Sequence, residues 1–164
     1  SLYVGDTAGF LRAIDWRQRT LPFEKSLRWI KIQVWAWGLK DSLPSQKGLI
    51  WSFIDRDELF VGAPAWNEER VFATSRSGEI FAIDRESGDL DWVFETGELL
   101  VDSPCLAGGI LYVGDLGGTV NAIDARHGQV IWTLDVGVPI TSHPVFGGST
   151  LYLTSETGHI IAVE

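Results

Sequence analysis

Residues 111–124 read LYVGDLGGTVNAID, and this stretch returns through the chain at a fixed interval. Residues 71–84 read VFATSRSGEIFAID and residues 151–164 read LYLTSETGHIIAVE, so three copies end 40 residues apart at Asp84, Asp124 and Glu164. A fourth copy, LYVGDTAGFLRAID, fills residues 2–15. Glycines fall in register at Gly9, Gly78, Gly118 and Gly158, and prolines at Pro64, Pro104 and Pro144. Tryptophans recur at Trp92 and Trp132, with Trp51 one residue out of step. A repeat of this length is one supersecondary unit that buries its apolar faces by stacking on copies of itself.

Each unit reads as strands. Ile110 to Val113 is a short apolar run, Gly117-Gly118 is a turn, and residues 119–124 largely alternate as a half-buried strand does. A second turn at Arg126-His127-Gly128 precedes Val130-Ile131-Trp132-Thr133-Leu134, and a last short strand surrounds Pro144, where proline marks a strand start or an edge. Four strands per repeat with no helix predict a propeller blade, and a flat solenoid of the same period is the competing architecture. The chain as a whole is predicted to be all-β, with about three and a half to four blades of four antiparallel strands in one repeat region over residues 1–164. It begins after the proline-bearing strand of the first blade and stops before the tryptophan-bearing strand of the last. A part of a longer propeller, or an assembly that supplies further blades, is therefore expected.

The stretches Ala82 to Trp92 and Ala122 to Trp132 share the form A-x-D-x-x-x-G-x-x-x-W. This resembles the tryptophan-docking motif of propellers related to pyrroloquinoline-quinone dehydrogenases. The same repeats occur in non-enzymatic relatives, including a bacterial outer-membrane assembly lipoprotein and propellers attached to kinases. The resemblance implies a location outside the cytoplasm, in the periplasm or cell envelope. Physical reasoning reaches the same roles for the motif. A tryptophan near a strand end offers a broad surface to the neighbouring blade, aspartate in the turn accepts backbone N–H groups, and glycine permits positive φ. Asp84, Gly88, Trp92, Asp124, Gly128 and Trp132 are accordingly expected to be structural.

A quinone-dependent dehydrogenase needs a Ca²⁺ site of carboxylate and amide oxygens with a catalytic aspartate beside the cofactor. Asp6, Asp102, Asp115, Asn121 and Glu156 supply oxygens, but each lies at or near a repeat-equivalent turn or strand position. The family's adjacent cysteine pair cannot form from the single Cys105, which is read as a small strand residue. His127, His143 and His159 show no metal-ligand spacing. No catalytic residue, cofactor or metal ligand is therefore assigned. The leading expectation is a non-catalytic interaction scaffold; the alternative is part of a quinone-dependent dehydrogenase whose catalytic residues lie outside this segment.

The net charge of −9 is unevenly spread. Residues 16–50 hold seven basic residues against two acidic ones, a net +5, and contain all four lysines of the chain; the remainder carries −14. An acidic body excludes a nucleic-acid role, because phosphate binding needs a continuous basic surface. Asp15 precedes Trp51 by 36 residues where the other copies have eight, so about 28 residues are inserted at a turn within one blade. This insert also holds Trp16, Trp29, Trp35 and Trp37, half of the eight tryptophans. Its middle reads as a strand or as a short amphipathic helix. The first reading of the insert is a cover folded on the acidic blades. The second is a docking arm for a protein partner contacted through Trp29, Trp35 and Trp37, and the third is contact with an anionic membrane. A segment of unrelated origin is a fourth.

No apolar run approaches the roughly 20 residues of a membrane-spanning helix. The start, SLYVGDTAGF, lacks a basic region followed by an apolar stretch, and the absence of any methionine is read as a mature product or an excised piece.

Overall fold

The computed structural model describes residues 1–17, 24–38 and 48–164. Among the described residues, fourteen strands form four antiparallel sheets in chain order. The first contains β1 (Leu2–Gly5), β2 (Phe10–Ile14) and β3 (Leu49–Ile54), with the helix α1 (Glu24–Ala36) between β2 and β3. The second contains β4 (Phe60–Trp66), β5 (Arg70–Ser75), β6 (Glu79–Asp84) and β7 (Leu90–Glu95). The third contains β8 (Cys105–Ala107), β9 (Ile110–Gly114), β10 (Thr119–Asp124) and β11 (Val130–Asp135). The fourth contains β12 (Val145–Gly147), β13 (Thr150–Thr154) and β14 (Ile160–Val163). Each strand pairs with its neighbour in sequence, as in the blades of a propeller.

The sheets pack face to face, and the period-two alternation of each strand divides its side chains between two cores. Val71, Ala73, Phe81 and Ile83 join Leu11, Ala13 and Trp51 in the core between the first and second blades. Their sequence neighbours Phe72, Ile80 and Ala82 point the other way, against Leu111, Val113 and Ile123 of the third. Tyr112, Val120 and Ala122 then meet Leu151 and Leu153 of the fourth. This corrects one sequence expectation. Residues 119–124 are not half-buried: Val120, Asn121, Ala122 and Ile123 are all buried, because a blade covers each face.

The tryptophan strand keeps its register despite the insert. Ala13 pairs with Trp51, Ala82 with Trp92 and Ala122 with Trp132, and each pair is followed by a register shift at the next residue. The insert is accommodated entirely in the β2–β3 turn, so the one-residue offset of Trp51 disappears in three dimensions. Pro104 and Pro144 stand immediately before β8 and β12, whereas Pro64 lies inside β4 at an irregularity between Val61 and Ala65. The middle of the insert is helical, not a strand. No helix among the described residues is long and apolar enough to cross a membrane.

Candidate interaction surface

The β6–β7 and β10–β11 turns use their motif residues locally. Asp84 Oδ1 accepts the backbone N–H groups of Glu86 at 2.9 Å and Ser87 at 2.8 Å. Asp124 Oδ1 accepts those of Arg126 at 2.7 Å and His127 at 3.2 Å. These bonds favour the ionised form, so both carboxyls are held below the usual carboxylate range, chiefly by Ser87 for Asp84 and by Arg126 for Asp124. Gly88 has φ of 82° and lies against the Trp51 ring of the preceding blade; Gly128 has φ of 70° and lies against Trp92. Trp51 Nε1 also donates to the Arg85 carbonyl at 2.8 Å. Trp132 lines a groove of about 430 Å³ with Tyr112, Phe146, Leu151 and Val163.

The candidate oxygens do not converge. Asp6 and Asp115 occupy a second repeated turn position whose other copies are Ser75 and Ser155. All four accept the N–H four residues ahead, from Phe10, Thr119, Glu79 and His159 respectively. Burial pushes the Asp115 carboxyl up, opposed by the Thr119 bond. Asp102 accepts from Ser103 N at 2.7 Å and from His143 N at 3.0 Å, bridging the third and fourth blades. Glu156 is exposed, and Asn121 is 4% exposed with no partner for its Nδ2 among the described residues. Among the described residues no group of three or more His, Cys, Asp or Glu side chains is placed to hold a metal ion. Asp6, Asp102, Asp115 and Glu156 are therefore not gathered into one such group among the described residues. Cys105 is half-buried in β8, where burial raises its thiol above the ordinary range.

The insert presents a different surface. Trp29 is 63% and Trp37 is 70% exposed, against 7% for Trp51 in the blade core. Ile30 and Trp16 are also exposed, with the Arg17 guanidinium 5.5 Å from the Trp16 ring centroid. Among the described residues, helix α1 has no extended packing with a strand. The Trp35 side chain and the segments 18–23 and 39–47 lie outside the described residues. Sequence reading passed over Trp66, which is exposed on the blade body with the Arg85 guanidinium 5.1 Å from its ring. Its departure from the tryptophan register was the available signal.

Residues 99–164 match the family described as outer membrane protein assembly factor BamB. The chain superposes on BamB from Moraxella catarrhalis with a TM-score of 0.70 at 14% identity, over 99% of this chain. It also superposes on a quinohemoprotein alcohol dehydrogenase from Pseudomonas putida with a TM-score of 0.60 at 21% identity, over 66% of this chain. Residues 99–164 are thus PQQ-like repeats, and the chain as a whole shares the β-propeller blade fold. This chain spans 41% of that BamB chain and 19% of the dehydrogenase. It also matches the computationally designed Ika4 protein, with a TM-score of 0.71 at 13% identity, over 98% of this chain and 82% of that one. At these identities the likeness to the solved structures is one of fold. No curated protein matches the sequence.

Proposed function

We propose that this chain is a non-catalytic PQQ-like propeller scaffold for protein–protein interaction outside the cytoplasm. Its specific contact is the basic arm inserted at residues 16–50, through Trp29, Trp35 and Trp37. The observation that carries this reading is the contrast between tryptophans. Trp51 is buried between blades while Trp29 and Trp37 stand in solvent together with Ile30, and grouped exposed apolar side chains mark interaction sites. Tryptophan and arginine are favoured contact residues at protein interfaces, and the arm's net +5 opposes the acidic blades that hold it.

The rival reading is a dehydrogenase segment, and cofactor titration separates the two. The dispersal of Asp6, Asp102, Asp115, Asn121 and Glu156 over separate turns and strands supports the scaffold. Pyrroloquinoline quinone with Ca²⁺, followed by absorbance, is expected to give no saturable change. Saturation at micromolar concentration overturns the scaffold reading.

A further inference from the structure

The arm's helix has a definite apolar side. With about 100° of rotation per residue, Trp29, Gln33 and Ile30 of α1, with Trp37 one residue past its end, fall within one arc of about 100°, and Trp35 falls outside it. Trp29, Ile30 and Trp37 are all exposed on it. Lys31 lies at about 200° from Trp29, on the far side, and is exposed there. The 13 residues of α1 extend about 20 Å, long enough to fill a groove and too short to be a stable helix alone. Apolar anchors eight residues apart on one face, within a basic segment, are the pattern of a helix that lays its apolar side into a groove.

We infer that α1 is a helix-in-groove ligand whose partner is a protein with an apolar groove rimmed by carboxylates. The inference rests on the scaffold reading and names the chemistry of its partner. Charge complementarity selects the rim: the arm carries +5 and concentrates every lysine of the chain. Apolar anchoring selects the groove, because Trp29 and Trp37 together offer far more apolar than charged area.

Calcium-loaded calmodulin is a suitable probe, since it is an acidic protein that opens an apolar groove only with Ca²⁺. Isothermal titration of the full chain is expected to show saturable binding that chelation abolishes. The double variant Trp29→Ser/Trp37→Ser should bind at least about tenfold more weakly, as for truncated interface anchors, with an unchanged melt. Trp66→Ser should bind as the parent does. Absence of saturable binding overturns the inference, as does equal binding by the double variant. Equal affinity for poly-glutamate means that charge alone acts and likewise overturns it. Binding to phosphatidylglycerol vesicles but not to calmodulin transfers the arm to a membrane surface. Quinone binding is read separately, so failure of this inference is distinguishable from failure of the scaffold.

Discussion

The ring of Trp92 on β7 lies flat enough against Gly128 of the next blade that a Cβ at Gly128 would sit 2.7 Å from Trp92 Cδ2. The same relation joins Trp51 to Gly88, also at 2.7 Å. One blade thus fits its tryptophan to the space left by the glycine of the next. Gly128→Ala should destabilise by about 2–4 kcal/mol, combining the left-handed backbone penalty with overpacking. Gly137→Ala isolates the backbone part: its φ is 71° and nothing lies within 4 Å of a Cβ there. That variant should cost only about 1 kcal/mol. Denaturant melts of the two variants decide the matter, and equal losses would remove the ring contact from the account.

Trp92→Ala tests the other side of the contact. It removes an indole that packs on Phe72, with ring centroids 5.9 Å apart, and on the core of the second and third blades. A loss of about 3–5 kcal/mol is expected in the same melts. A loss below about 1 kcal/mol would mean that the ring contributes no more than a surface side chain.

Asn121 stands where the repeat places Phe81 in the second blade and Ile161 in the fourth. On the face of Ile123, its Nδ2 is buried without a partner. Asn121→Leu keeps the volume and removes the orphan donor, so stability should rise by about 1 kcal/mol. A fall in the denaturation midpoint would show that a buried water serves this group.

Asp84 and Asp115 respond to pH with opposite sign. Asp84 is held below its ordinary value, so its contribution is present above about pH 3.9 and is lost as pH falls through its lower folded value. Asp115 is held above its ordinary value; the folded state retains the proton more tightly, and stability falls as pH rises through that folded value. Serine already serves this position at Ser75 and Ser155. Asp115→Ser should therefore stabilise the chain at neutral pH, with the gain shrinking as pH falls through the carboxylate range. Melts from pH 4 to 8 test this, and a gain independent of pH would point to packing instead of charge.

Replacing residues 16–48 by the five-residue turn Arg85–Asp89 restores the regular β2–β3 connection. Trp29 and Trp37 are exposed, so the melt should stay within about 0.5 kcal/mol of the full chain. A larger loss would show that the arm packs on the blades after all.

The blade architecture was legible because a stacked repeat must restate its apolar positions, its turn glycines and its tryptophan at every copy. The site was less legible. Asp6 and Asp115 looked like donor oxygens until their hydrogen bonds aligned them with Ser75 and Ser155, whose different chemistry hid the shared role. Local alternation over residues 30–34 favoured a strand as much as a helix, since four or five residues cannot separate periods of 2 and 3.6.

The sequence by itself determined the blades, the position and charge of the insert, and the residues that close each turn, because these follow from periodicity and local backbone chemistry. Only the tertiary structure decided that residues 119–124 are covered on both faces, that Trp51 meets Gly88 while Trp29 and Trp37 meet solvent, and that Asn121 lies buried without a partner. The physical reason is that burial belongs to the stacking of blades, and a residue's own stretch of chain carries no record of which surface will be laid against it.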